Sequence, residues 1–149
     1  MITLIKGTLE HLDDLSSLFD AYRVFYEQSS DLKGARDFLK NRIENEESIL
    51  FMAYLDKKAI GFTQLFPSFS SVSMKPLLIL NDLYVDKNFR QKGIGEALLI
   101  HAQEYCRQLN YKGLALETAT DNPARQLYEK LGWEKDTYCF HYFWTATVQ

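Results

Sequence analysis

Apolar positions along the chain change period several times, and the changes divide it into elements. Residues 2–6, ITLIK, read as a short strand ended by Gly7. Thr8, with Glu10 and His11 behind it, can open a helix in which Leu12, Leu15, Leu18, Phe19, Tyr22, Phe25 and Tyr26 recur at helical spacing. A second helix over about 34–45 carries Phe38, Leu39 and Ile43 on its apolar side, after the polar loop YEQSSDLKG. Three strands are expected at 48–55 (SILFMAYL), 59–70 (AIGFTQLFPSFS) and 74–85 (MKPLLILNDLYV), the first two joined by the hairpin-type link DKK. Pro67 cannot donate to a ladder, so a strand end or bulge is expected there.

A glycine-bearing turn follows, then a helix over about 94–109 with Ile94, Leu98, Ala102, Tyr105 and Leu109 as its buried stripe. LALETA at 114–119 reads as a strand. Asn122 or Asp121 can cap the next helix, with Pro123 near its start and Gly132 at its end. WEKDTY and FHYFWTATV read as two closing strands. With no repeat, linker or low-complexity segment, the order β-α-α-β-β-β-α-β-α-β-β describes a single α/β domain with a mixed sheet over 1–149.

Composition narrows the function classes. A length of 149 residues with 46% hydrophobic and 25% charged positions suits one ordinary soluble domain. A formal net charge of -3 argues against a general nucleic-acid binder, while leaving room for one local basic site. The longest apolar runs fall far short of a membrane span, and MITLIKGTLEHLDD lacks a signal-peptide core, so a cytoplasmic location is expected. The two cysteines, Cys106 and Cys139, have no metal-type spacing and read as buried free thiols. His11, His101 and His141 are too scattered for a ligand series, and no metal is expected.

The chemistry centres on FRQKGIGEALL, which begins at Phe89. It lacks the GxxxxGK[ST] order of nucleotide-triphosphate loops and the three spaced glycines of dinucleotide folds. What remains is Arg90, Gln91, Lys92, Gly93, Ile94 and Gly95 at the start of a helix. Glycines admit a ligand to the backbone, and a helix N-terminus offers N–H donors and positive potential. Read alone, the segment is either an anion socket or a turn with solvated charges. Downstream, Asn122 can contact a ligand or merely cap, and Ala124 permits close approach. Tyr128 can pack as core or protonate a thiolate leaving group, whose proton affinity is comparable.

Together these segments resemble the GNAT superfamily of N-acetyltransferases. RQKGIG is similar to its acyl-CoA pyrophosphate loop, LNDLYVDKNFR to the fourth strand and its approach, and NPARQLYEKLGW to the later Asn, Ala and Tyr motif. The element order matches over nearly the whole chain. The resemblance implies a central mixed, mostly antiparallel sheet flanked by about four helices. It also implies acetyl-CoA as the acyl donor and attack by a primary amine without a covalent enzyme intermediate. By the same resemblance Arg90 to Gly95 hold the pyrophosphate, Leu83, Tyr84 and Val85 pair with the pantetheine arm, and Asn122 and Ala124 approach the cofactor. Tyr128 protonates the departing sulfur. A bulge that parts the fourth strand from LALETA would make room for the arm.

Many members carry a glutamate on the fourth strand; this chain has Asn81 and Asp82 instead. Either Asp82 acts through water, Asn81 positions a water, or the amine arrives deprotonated; Asp82 is preferred, and Glu117 is a further candidate. Alternation puts residues 81 and 82 on opposite faces, and a bulge would change that assignment. YRVFYEQ, GFTQLFPSFSSVSM, ILNDLYV and FHYFW are similar to a microbial branch that acetylates polyamines and basic proteins. This implies a small cationic amine, with a basic peptide, a protein amine or an aminoglycoside as alternatives, and a homodimer involving the C-terminal strands. An acyl-CoA sensor is the non-enzyme reading. Tyr22, Tyr26, Glu27, Asp31 and His141 are the candidate amine-site residues, each with a packing or solvated-loop reading beside it.

Overall fold

A computed structural model describes residues 1–146. The elements are β1 (Ile2–Lys6), α1 (Leu12–Phe25), α2 (Leu32–Glu44), β2 (Ile49–Leu55), β3 (Lys58–Ser70), β4 (Lys75–Val85), α3 (Ile94–Gln108), β5 (Leu114–Ala115) and α4 (Arg125–Lys130). They fall into two compact units, Met1–Glu117 and the segment beginning at Thr118. The first unit holds a five-stranded sheet in the order β1-β2-β3-β4-β5. Neighbours are antiparallel from β1 to β4, and β5 joins β4 in parallel. This is the mixed, mostly antiparallel sheet with flanking helices that the periodicity and the resemblance imply.

Strand alternation divides the core between the two faces of the sheet. Leu50 and Met52 of β2 and Phe62 of β3 pack with Leu12, Leu15, Leu18 and Phe19 of α1 and with Ala35 and Leu39 of α2. Phe51, one residue out of phase, sends its ring to α3, with centroids 4.6 Å from His101 and 5.2 Å from Tyr105. Gly61 lets α3 approach: a Cβ there would stand 3.5 Å from both Ile94 and Leu98 and 3.0 Å from the Tyr84 carbonyl.

Several expectations are corrected. Pro67 lies inside β3, opposite Leu78, and the irregularity is elsewhere, between Gln64 and Leu65. The reason is that β2 pairs with β3 only as far as Leu65. Among the described residues β3 has no second partner strand at Pro67, so its missing N–H costs no ladder bond. In α3 burial follows Ile94, Leu98, Leu99, Ala102 and Cys106, whereas Leu109 is the exposed C-cap. The strand expected over 114–119 shortens to Leu114–Ala115. Cys106 is buried but Cys139 is exposed, and both are free thiols.

The closing strands do not form among residues 133–146. Aromatic alternation reports fitness for a pleated, half-covered surface rather than an intrinsic backbone preference. Here no ladder partner is present within the described residues, and Tyr138, Phe140, Tyr142, Phe143 and Trp144 stay 80% to 95% exposed. Residues 147–149, which include the last two positions of FHYFWTATV, lie outside the described residues.

Candidate active site

The chemistry of the first unit is organised by one extra residue in β4. Gln64 faces Asp82 and Leu65 faces Leu80, so Asn81 has no counterpart on β3. That is a β-bulge, and it reverses the facing of everything beyond it. Phe66–Ile79, Gln64–Asp82 and Phe62–Tyr84 thereby share the face covered by α1 and α2. Asp82 is 2% exposed, while its neighbour Asn81 is exposed. Pairing between β4 and β5 ends at Ile79 and Ala115, just before the bulge. From Asn81 to Val85, β4 is laddered only to β3 among the described residues. The bulge implied by the resemblance is thus located at Asn81, and Glu117 lies exposed beyond the end of β5.

Asp82 is held from several directions. Gln64 Nε2 donates to its Oδ2, and Asn81 Nδ2 donates to Oδ1 at 2.8 Å. Thr63 Oγ1 donates to the Asp82 backbone carbonyl at 2.7 Å. Burial pushes the carboxyl above its ordinary range, and hydrogen bonds from Gln64, Asn81 and Tyr22 pull it partly back. A proton affinity raised in this way suits a group that must accept a proton near neutral pH.

Asp82 opens into a cavity of about 250 Å³ with aromatic walls from Phe19, Tyr22 and Phe38 and polar groups from Gln64, Arg23 and Asn81. The rings are mutually braced: Phe19 stacks on Phe38 with centroids 5.6 Å apart, and Tyr22 meets Phe62 edge-on at 5.9 Å. The Tyr22 hydroxyl donates to the Asn81 carbonyl at 3.3 Å. Of the candidate amine-site residues in this unit, the fold brings only Tyr22 to the cavity. Tyr26 is exposed with its ring 5.0 Å from that of Tyr22, and Glu27 is an exposed left-handed residue after α1. Asp31 caps α2, its Oδ1 accepting from Gly34 N at 2.9 Å.

Gln64 was not foreseen. Its signal was present, since it shares the parity of Phe62 and Phe66 in an apolar run, and a polar residue on a core face requires a partner. Arg23 and Phe38 were visible only as helix positions.

The turn from β4 into α3 has two left-handed residues in three, Gln91 at φ 62° and Gly93 at φ 79°. A Cβ on Gly93 would meet nothing within 4 Å, so its face is open. The first bond of α3 runs from Ala97 N to Gly93 O at 3.0 Å, and Ile94 and Gly95 lie ahead of it with N–H groups at the helix end. Left-handed residues with the spacing of Gln91 and Gly93 can turn backbone N–H groups toward one side of the turn, which suits an anion. Arg90 is folded back: Nε donates to the Val85 carbonyl at 2.9 Å, and the guanidinium lies 5.1 Å from the Phe25 centroid and 5.5 Å from that of Tyr84. Lys92 stands over the Phe89 ring at 5.5 Å. Donors, open approach and positive charge together fit a diphosphate.

In the second unit, Asn122 builds the entry to α4. Its Oδ1 accepts from Ala124 N and its Nδ2 donates to Thr118 Oγ1, both at 2.9 Å. The helix closes with paired bonds, Gly132 N to Glu129 O at 3.1 Å and Trp133 N to Tyr128 O at 3.0 Å. Gly132 takes the left-handed conformation that this stop requires, at φ 92°. The Tyr128 ring is partly buried, with its centroid 5.8 Å from that of Trp133. His141 is exposed in the segment after α4. No group of three or more His, Cys, Asp or Glu among the described residues is placed to hold a metal ion, and no helix among them is long and apolar enough to cross a membrane.

Comparison with known proteins bears on the family and the fold. The uncharacterized N-acetyltransferase YhfO of Bacillus subtilis is 51% identical over 129 residues, covering 86% of this chain and 87% of that protein. A probable acetyltransferase of Haemophilus influenzae is 31% identical over 139 residues, covering 85% and 95%. A crystal structure of a probable acetyltransferase superposes with a TM-score of 0.92 at 36% identity, covering 99% of each chain. Residues 15–133 match the acetyltransferase (GNAT) family, and the chain belongs to it.

Proposed function

We propose that residues 1–149 form one N-acetyltransferase domain that transfers acetyl from acetyl-CoA directly to the primary amine of a small molecule. The observation that carries this reading is a buried carboxylate, Asp82, opening from a bulged strand into an aromatic cavity. That strand leads, through a short 3-10 turn at Lys87–Phe89, into the glycine turn at α3. Bound acetyl-CoA supplies an acyl carbon activated as a thioester. The backbone from Arg90 to Gly95 holds the diphosphate, assisted by Arg90 and Lys92. Leu83, Tyr84 and Val85 offer backbone groups to the pantetheine arm and to charge developing on the acyl oxygen. Asn122 and Ala124 are assigned to the cofactor, and Tyr128 to proton donation at sulfur.

An amine reaches the cavity as an ammonium ion. Asp82 accepts its proton, directly or through a water held by Asn81, and leaves a neutral nitrogen with a lone pair. The N–C bond would then form as the C–S bond breaks, the nitrogen losing its remaining surplus proton to water while Tyr128 gives one to the sulfur and is reprotonated from water. A raised proton affinity at Asp82 narrows the gap to an alkylammonium and makes that transfer less uphill. The aromatic walls favour a cation by ring electrostatics. A cavity of about 250 Å³ supports a small cationic amine of the polyamine type over a peptide chain. The exposed aromatic run from Tyr138 to Trp144 supports a homodimer built through the C-terminal segment, which sedimentation of wild type against Phe143→Ser/Trp144→Ser would test.

The experiment is thiol release from acetyl-CoA across a panel of alkylamines, polyamines and basic peptides. Turnover with at least one small cationic amine is expected. Tight CoA binding with no turnover anywhere on the panel would overturn the reading in favour of an acyl-CoA sensor.

A further inference from the structure

We infer that Gln64, itself fixed by Ser48, is the positioning residue that sets the orientation and proton affinity of Asp82, an inference that rests on Asp82 being the base. Gln64 is fully buried in the middle of an apolar strand, where an amide is costly unless both of its ends are bonded. Both are. Ser48 Oγ donates to Gln64 Oε1 at 2.5 Å, and Gln64 Nε2 donates to Asp82 Oδ2.

A primary amide has one accepting end and one donating end. With the oxygen held by the Ser48 hydroxyl, the NH2 group is committed to the carboxylate. A flipped amide would turn its oxygen toward Asp82 and repel the ionised form. The ionised carboxylate only accepts and so selects the NH2 end of Gln64, and the Ser48 hydroxyl, bonded to the other end, holds that orientation in place. Asn81 Nδ2 fixes the other carboxylate oxygen at 2.8 Å, and Thr63 Oγ1 anchors the Asp82 carbonyl at 2.7 Å. The Gln64–Asp82 pairing exists because of the bulge at Asn81. Bulge, relay and base are one construction.

The titratable and charged side chains that face Asp82 across the cavity are Tyr22 and Arg23, both from α1. Helix α2 contributes Phe38 and β3 contributes Gln64 and Phe66, none of which titrates. A donor to the carboxylate stabilises its charged form. Loss of the Gln64 donor must therefore make Asp82 hold its proton to higher pH, with Tyr22 and Arg23 unchanged.

The test compares wild type, Gln64→Leu, Ser48→Ala, Ser48→Thr and Asp82→Asn as full-length proteins. Carboxyl-carbon NMR follows the titration of Asp82, whose resonance is identified by its loss in Asp82→Asn. Steady-state kinetics with acetyl-CoA and spermidine runs over the same pH range. In Gln64→Leu the Asp82 midpoint should move up and carry the acidic limb with it, so that kcat at pH values below the new midpoint falls about tenfold, with KM for acetyl-CoA unchanged. Ser48→Ala should move both in the same direction by less, and Ser48→Thr, which keeps the hydroxyl, should restore wild-type values. A midpoint that stays put or falls in a folded Gln64→Leu protein sinks the positioning role, whatever the activity. Should that variant not fold, Ser48→Ala decides by the same midpoint. Retention of the acidic limb in Asp82→Asn overturns the base assignment instead, and the two failures are separable because the NMR reading needs no amine.

Discussion

Replacing Gly93 by alanine tests the geometry of the α3 turn with the fewest confounding effects. Gly93 has φ 79°, and a Cβ there would touch nothing within 4 Å. Any destabilisation must then come from the backbone and not from a clash. Holding an L-residue in the left-handed region costs about 1–2 kcal/mol. Alanine also narrows the unfolded ensemble, which returns about 0.4–1 kcal/mol where the native conformation is compatible. The net expectation is a loss of about 0–1.6 kcal/mol, centred on ~0.8 kcal/mol, or about 2–3 °C in Tm for a chain of this size.

Gly113 is the internal control. A methyl group there would also stand in open space, and its φ is outside the left-handed region. Gly113→Ala should therefore be neutral or stabilising by up to about 1 kcal/mol. The assay is thermal unfolding of both variants, followed by calorimetric titration with CoA well below either Tm. Gly93→Ala should also weaken CoA binding, about tenfold, because the methyl occupies the open face assigned to the diphosphate. A Gly93→Ala protein as stable as Gly113→Ala, with wild-type CoA affinity, would refute both the strain argument and the cradle.

Further predictions concern Asp31, Tyr128 and Asp82. Asp31→Ala removes the α2 cap and should cost about 1 kcal/mol in thermal or urea unfolding. Tyr128→Phe should lower turnover at least tenfold with CoA affinity little changed; equal turnover would reject it as the acid. For Asp82, burial raises the folded-state proton affinity above that of the unfolded chain. Its contribution to stability is then fully present below the ordinary carboxylate pKa and is lost as pH rises through the raised folded value. Asp82→Asn removes that loss, so Tm of the variant relative to wild type should climb from mildly acidic pH to pH 8.

Most of the fold was legible because period and length fix elements without knowledge of neighbours. β1 to β4, α1 and α3 all follow from alternation or a helical stripe. The stop at Gly132 could also be read locally, since such a cap involves residues a few positions apart. The cap expected from Asn122 or Asp121 is corrected, because α4 starts later, with Ala124 as an N-cap that makes no side-chain bond, and Asn122 accepts from Ala124 N in the turn before it. Which of Asn81 and Asp82 is buried could not be read, because parity within β4 depends on a bulge defined by its pairing with β3. Ser48 was invisible for the same reason: it lies 16 residues from Gln64 and meets it only through the β2–β3 hairpin. The closing strands were overread, since aromatic alternation needs a partner strand that the described residues do not provide.

The most direct test of the central claim is the pH dependence of kcat/KM in wild type and Asp82→Asn, with acetyl-CoA and an amine the wild type acetylates. Wild type should show an acidic limb above the ordinary carboxylate range, rising with pH as Asp82 ionises, and Asp82→Asn should lose that limb together with most of its turnover. An Asp82→Asn protein with the wild-type limb and rate would show that proton transfer from the amine does not pass through the buried carboxylate of β4.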